Sequence, residues 1–299
     1  MRKPSEFSRG GNPARADRAR LCPSARRLLG ALFLGLLAGL TLAAERPLIL
    51  LTNDDGVGAP GLEAVYRQFQ DLGELVVVAP ADNQSGISHR LGSHDPIYVK
   101  RYLIDGKEVG WSLKTTPAMC VLVALEHLLP RQPDLVLSGM NRGSNPGAIS
   151  LISGTVAAAR QASLRGVKAI ALSLDIGPGM DYDAAAKAVR PLVERVLKTG
   201  LPDGVYLNVN APGAADFSKG LRLTRDSGTE LIFKYERVTT ISGQDVIWVD
   251  GGLDPKKYPE DTDYGAMQAG YIAVSALTSD ADAKIRLDRL ARQLALPLR

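Results

Sequence analysis

Five short aliphatic runs, at 48–52, 74–79, 135–137, 169–174 and 205–209, alternate with segments patterned as helices, and that alternation most narrows what the chain can become. Antiparallel neighbours can be joined by tight turns, whereas strands reached through an intervening helix pair in parallel. A run such as Leu48-Ile49-Leu50-Leu51 has no polar alternation, as expected of a strand covered on both faces. The helices are expected over 61–71, with Leu62, Val65 and Phe69 on one face, and over 117–127, opened by Pro117. Two more are expected, from Ser153-Gly154-Thr155 to about 165 and over 182–197. The pattern predicts an α/β fold with a doubly wound, Rossmann-like, mostly parallel sheet.

Beside that sheet a hairpin is expected across Asp105-Gly106, joining 97–103 to 108–112. From about Gly220 the chain becomes β-rich and more polar, with strands at 230–238 and 245–249. The stretch 212–265 reads as an excursion of β-hairpins suited to contacts between copies. An apolar strand at 271–276 and an amphipathic helix at 281–294 complete the chain, and no internal repeat or low-complexity tract interrupts it.

The first 44 residues do not belong to that pattern. Basic residues crowd the start, and the 17 apolar residues 28–44 end in Leu42-Ala43-Ala44, the layout of a secretory signal peptide. An N-terminal membrane anchor is the alternative, although the run is short for a span. Arg26-Arg27 raises the twin-arginine route, and the long lead before it raises a start codon further in. The expectation is a periplasmic or secreted protein with working residues 45–299 and no stable membrane association after cleavage. The leader holds 8 of the 36 basic residues and 2 of the 32 acidic ones, leaving 28 against 30, a net charge of −2. The +4 of the whole chain therefore gives no argument for a nucleic-acid polymer as partner. Cys22 lies in the leader, so Cys120 stands alone in an apolar helical stretch and is expected to pack rather than react.

Chemistry concentrates at three strand ends. The first strand ends in Asn53-Asp54-Asp55-Gly56, two adjacent carboxylates where open α/β sheets bind ligands. An Asx-turn capping the next helix is the plain reading of such a sequence. Adjacent carboxylates repel unless a cation sits between them, and the other two ends add Asn83-Gln84-Ser85-Gly86 and Ser138-Gly139-Met140-Asn141. Two carboxylates, a hydroxyl and an amide oxygen make an all-oxygen donor set, which suits Mg²⁺, Mn²⁺ or Ca²⁺; no His/Cys cluster favours zinc. Gly143, Gly147 and Ser153-Gly154-Thr155 offer N–H groups and hydroxyls at a helix start, where a phosphate can bind, with Asn145 nearby. Asn53 reads mainly as a brace of its loop, with substrate contact open. His89 and His94 offer a general acid or plain solvated histidines, and His127 reads as structural.

In their order, these stretches resemble the SurE family, the stationary-phase survival proteins that are metal-dependent 5′-nucleotidases. The resemblance rests on Asn53-Asp-Asp-Gly56 with Ala59-Pro-Gly61, Ala79-Pro-Ala-Asp-Asn-Gln-Ser-Gly86 and Thr116-Pro-Ala-Met-Cys-Val121. It continues through Ser138-Gly-Met-Asn-Arg-Gly-Ser-Asn145, Ser153-Gly-Thr-Val-Ala-Ala-Ala159, Leu207-Asn-Val-Asn-Ala-Pro212, and Thr262-Asp263 with Gly270-Tyr271. The resemblance implies Asp54, Asp55, Ser85 and Asn141 as ligands of one divalent ion, with Asp54 and Asp55 catalytic. Independently of the resemblance, Asn53, Asn145, Ser153, Gly154 and Thr155 are the expected substrate- and phosphate-binding residues. The resemblance also implies phosphate release from nucleoside 5′-monophosphates, with 3′-monophosphates as further substrates, and homodimers or homotetramers built through the C-terminal β-excursion.

Three residues depart from the family's pattern. Ile149 and Ile152 stand where an Asp and a Tyr usually precede Ser-Gly-Thr-Val, and Met119 replaces an Asp after Thr-Pro-Ala. None is an implied ligand, so metal binding is expected to survive. The first two keep a second reading open: an exported nucleotide- or phosphate-binding protein with reduced catalysis. A dinucleotide-dependent oxidoreductase lacks its Gly-x-Gly-x-x-Gly after the first strand, and a haloacid-dehalogenase-type phosphatase would want Asp-x-Asp there.

Overall fold

The computed structural model describes residues 46–92, 95–214 and 216–279. The expected leader over 1–44, Cys22, His94 and the helix expected at 281–294 lie outside the described residues. Strands β1 (Leu48–Thr52), β2 (Glu74–Pro80), β5 (Leu135–Arg142), β6 (Ala169–Leu174) and β7 (Val205–Ala211) form the parallel centre of a nine-stranded sheet. At one edge β3 (Val99–Ile104) and β4 (Lys107–Leu113) make the hairpin across Asp105-Gly106, with β4 parallel to β2. At the other edge β11 (Ile272–Thr278) runs antiparallel to β7 and is flanked by β8 (Leu221–Thr224). The order is β3-β4-β2-β1-β5-β6-β7-β11-β8. Strand order reverses at β1, which lies parallel between β2 and β5, and such a switch point creates the crevice in which ligands of doubly wound folds bind.

The period of two along each strand sorts its side chains between two cores. Ile49 and Leu51 face α1 (Pro60–Phe69) and α4 (Tyr182–Thr199), packing with Leu62, Val65, Phe69, Val189 and Val193. Leu50 faces the other way, with Val78, Val136, Cys120, Val121 and Val156 beneath α2 (Pro117–Val123) and α3 (Gly154–Leu164). Alanines 157, 158, 159 and 162 of α3 are all buried, a small-residue surface that lets this helix lie close to the sheet. Cys120 is a free thiol inside that core, its pKa pushed up by burial, in keeping with packing rather than chemistry.

Two expectations need revision. The run at 135–137 is the visible part of a longer strand: β5 continues through Ser138-Gly139-Met140-Asn141 to Arg142, with its pairing to β6 interrupted between Ser138 and Asn141. Polar and glycine residues hid this half, in which only Met140 packs into the apolar core while Ser138, Gly139 and Asn141 belong to the site end of the strand. The excursion at 212–265 is also narrower than expected. Leu221–Thr224 rejoins the main sheet beside β11, and the freestanding part is a two-stranded hairpin, β9 (Leu231–Thr239) with β10 (Asp245–Leu253). No helix among the described residues is long and apolar enough to cross a membrane.

Candidate functional site

At the carboxyl end of β1 the chain turns sharply. Asn53 is fully buried and donates through Nδ2 to the Gly56 carbonyl at 2.7 Å, so its side chain holds the turn and does not reach outward. Asp54 follows, 3 % exposed. Its Oδ1 accepts the Thr155 hydroxyl at 2.5 Å, and the Thr155 backbone N–H also favours its charged form. The first turn of α3 thus points at Asp54, where a helix's positive end stabilises an anion. Gly154 permits the approach: a Cβ there would lie 2.8 Å from Asp54 Cβ and 3.0 Å from Oδ2. Burial nevertheless raises the Asp54 pKa to about 6, opposed by the Thr155 hydroxyl and reinforced by the charge of Asp55.

Asp55 is turned to the other side. Its Oδ2 accepts the Arg142 backbone N–H at 2.9 Å. Its pKa is raised by burial, against the N–H and the positive charge of Arg142. Asn141, almost buried, donates Nδ2 to the Gly143 carbonyl at 2.6 Å, which orients the amide and leaves Oδ1 as its free atom. In the loop after β2, the Gln84 N–H ties to the Asp54 carbonyl at 2.7 Å, and Asn83 Oδ1 accepts the Ser85 N–H at 2.8 Å. The exposed Ser85 hydroxyl has no hydrogen-bond partner among the described residues.

Each of the four expected ligands therefore keeps an oxygen that the fold does not use. Further buried side-chain oxygens without partners, on Thr52, Asn53 and Ser138, lie on the same strand ends. Buried polar atoms without partners along these strand ends leave hydrogen-bonding capacity unmet. Two carboxylates, an amide and a hydroxyl fit a hard divalent cation that keeps several waters. Among the described residues no group of three or more His, Cys, Asp or Glu could hold a metal, so the donor set resembles neither a zinc nor a carboxylate-cage site.

The expected phosphate donors are disposed differently. Ser153 caps α3, its Oγ accepting the Val156 N–H at 3.2 Å, and the Thr155 hydroxyl serves Asp54. The Gly143 N–H goes to the Leu174 carbonyl and the Gly147 N–H to Asp263 Oδ2, each at 2.8 Å. Asn145 is buried in a web of strand-end polar groups: Nδ2 donates to Ser173 Oγ, N–H to Asn210 Oδ1, and its carbonyl accepts from Asn208 Nδ2. These contacts brace the site's frame, and because the Ser153 hydroxyl accepts in its cap, its own O–H remains a donor. Gly154 lies closest to Asp54.

Asn208, Asn210 and Asp263 were quoted in the sequence motifs but assigned no role. Their signal was polarity at alternate positions of an otherwise buried strand, and an Asp just after a Thr cap. Arg142 and Tyr182 went unremarked as site residues; only the fold brings them together. His89 Nε2 lies 2.8 Å from Gln161 Oε1, tying the Ser85 loop to α3. Ile149 is buried in the 3-10 turn Gly147–Leu151, whereas Ile152 is 43 % exposed and its carbonyl accepts the Ser88 N–H at 2.9 Å. Met119 donates its backbone N–H to the Thr116 cap of α2.

The chain is similar to known proteins in sequence and in fold. The model of the family described as survival protein SurE matches residues 49–231. A 5′-nucleotidase SurE of Christiangramia forsetii is 36% identical over 243 residues, covering 80% of this chain and 94% of that protein. One of Symbiobacterium thermophilum is 38% identical over 247 residues, covering 81% and 96%. The crystal structure of the SurE protein from Aquifex aeolicus superposes with a TM-score of 0.73 at 31% identity, covering 83% of this chain and all of that one. By sequence and by fold, the chain belongs to the SurE family.

Proposed function

We propose that the protein is a divalent-metal-dependent phosphomonoesterase that releases phosphate from nucleoside 5′-monophosphates. The observation that supports this reading is that Asp54, Asp55 and Asn141, at the ends of β1 and β5, and Ser85, in the loop after β2, each keep an oxygen without a hydrogen-bond partner among the described residues, at the switch point of a doubly wound sheet. The names of the similar proteins support the substrate class. Mg²⁺ or Mn²⁺ held by those four residues would supply Lewis-acid chemistry to a phosphate ester. Thr155 and the start of α3 hold Asp54 in one orientation, and the Arg142 N–H does the same for Asp55. Asp54 and Asp55 are thereby preorganised, so little rearrangement opposes the reaction. The nucleophile is water or, in the second version, the Asp54 carboxylate.

Export of the 45–299 domain by the leader, to the periplasm or medium, is part of the proposal and rests on the sequence of residues 1–44. So is assembly into dimers or tetramers through the freestanding hairpin, supported by exposed Phe233, Tyr235, Trp248 and Val249 along it. The test is phosphate release from a panel of nucleoside 5′- and 3′-monophosphates with Mg²⁺, Mn²⁺ or EDTA. Metal-dependent release from 5′-monophosphates, abolished by EDTA, is the expected result, and the 3′ series shows how far the specificity extends. A folded sample that binds nucleotide but releases no phosphate with any metal would move the assignment to a binding protein.

A further inference from the structure

Of the four expected ligands, Ser85 stands farthest along the chain from a strand, beyond Pro80 at the end of β2. Ser85 and Gly86 are both exposed, and a Cβ on Gly86 would meet no atom within 4 Å, so packing does not fix this stretch. Hydrogen bonds on either side of it do. Before Ser85, the Gln84 N–H donates to the Asp54 carbonyl at 2.7 Å. After it, the Ser88 N–H donates to the Ile152 carbonyl at 2.9 Å and the Ser88 hydroxyl to the Leu151 carbonyl at 2.8 Å. His89 Nε2 lies 2.8 Å from Gln161 Oε1 on α3, and the Arg90 carbonyl accepts the Thr116 hydroxyl at 2.7 Å.

The backbone of Ser88 is held in a sparsely populated conformation. Its φ is +58°, in the left-handed region that few residues other than glycine adopt. Among the described residues Asp105 is the other such non-glycine, at +51°, and it belongs to the Asp105-Gly106 hairpin turn, whose geometry demands positive φ. Ser88 belongs to no hairpin, and strain of this kind persists only where the surroundings over-determine it. What surrounds Ser88 is the turn that leads into α3. Its two acceptors, the Leu151 and Ile152 carbonyls, directly precede Ser153-Gly154-Thr155, and the Thr155 hydroxyl holds Asp54. Gln161, which meets His89, lies on the same helix. We infer that Ser88 and His89 are positioning residues: they fasten the Ser85 loop to the segment that holds Asp54, and so keep the Ser85 hydroxyl in place for the ion that Asp54 and Asp55 bind. Both act through Ser85, without touching the ion. The inference rests on the metal-dependent reading and names what sets its most loosely held ligand.

The experiment follows amide hydrogen exchange over residues 84–90 in the metal-free protein, then Mn²⁺ affinity by electron paramagnetic resonance and kcat/KM for a nucleoside 5′-monophosphate. Wild type is compared with S88A, H89A, H89Q, S85A and the S85A/H89A double variant. S88A and H89A each remove one side-chain hydrogen bond, and each should speed exchange and weaken Mn²⁺ binding by about 2- to 10-fold, with kcat/KM falling in step. H89Q offers an amide N–H to Gln161 and should recover most of the loss. In the S85A background H89A should still speed exchange but weaken Mn²⁺ binding no further, because its effect passes through Ser85. Unchanged Mn²⁺ affinity in both S88A and H89A would overturn the inference. An equal loss with and without Ser85 would overturn it too, and would assign the two residues to the stability of α3. A wild type that binds no Mn²⁺ would instead sink the metal-dependent reading itself, and the inference with it.

Discussion

Asp54 carries the conflict that defines the site: a carboxylate removed from water, beside another, and held by only one hydroxyl and a helix start. Its folded-state pKa of about 6 lies above the ordinary value of 3.8. In the metal-free protein the native state therefore binds the extra proton between those values, and stability falls as pH rises through that window. The expected size is roughly 3 kcal/mol. Denaturant melts of metal-free protein between pH 4 and 7 should show the decline, and Asp54→Asn should flatten it; an unchanged slope in that variant would contradict the assignment. Thr155→Val removes the hydroxyl that orients Asp54. A hydrogen bond to a charged group is worth about 1.5–3 kcal/mol, so kcat/KM should fall roughly 10- to 100-fold with the fold retained. Residue by residue, the sequence declared the carboxylates because Asp54-Asp55 follows an apolar strand. It did not declare that Thr155 serves Asp54 rather than a phosphate. A Ser-Gly-Thr at a helix start looks alike whichever anion it faces. Nor did it single out Arg142, whose N–H reaches Asp55 only in the fold.

Among the elements, those with a strong period were legible. The apolar strands, the amphipathic α1 and the Asp105-Gly106 hairpin lie where the pattern predicts them, because propensity, turn chemistry and burial agree there. The second half of β5 was not legible, since Ser138, Gly139 and Asn141 carry a site instead of a core face. The edge strand β8 was missed for a related reason: four half-exposed residues give too short a pattern to tell from a hairpin arm. The β9–β10 hairpin presents Tyr235 69 % and Trp248 66 % exposed, well outside the main sheet. On a monomer, polar substitutions at such exposed positions would change stability by no more than about 0.5 kcal/mol. Tyr235→Glu with Trp248→Glu should instead lower the molar mass measured by light scattering, leaving Mn²⁺ affinity unaltered. An unchanged mass would remove the hairpin from the interface.

For the molecule as a whole, the sheet sets where chemistry occurs. Reversal of strand order at β1 opens a crevice, β1 and β5 deliver Asp54, Asp55 and Asn141 to its rim, and the loop after β2 brings Ser85. Two cores on opposite faces hold those rims fixed. This framework is built from residues 48–278. Protein lacking residues 1–44, with a net charge of −2, is expected to fold and to keep the activity of the full chain. Aggregation or loss of activity on removal would make the leader part of the working structure. The most direct measurement is Mn²⁺ binding by electron paramagnetic resonance in wild type and Asp55→Asn, with phosphate release from a nucleoside 5′-monophosphate followed on the same samples. The expected result is one bound ion per chain in wild type, with binding and turnover lost together in the variant. Wild-type binding and turnover in Asp55→Asn would contradict the proposed centre.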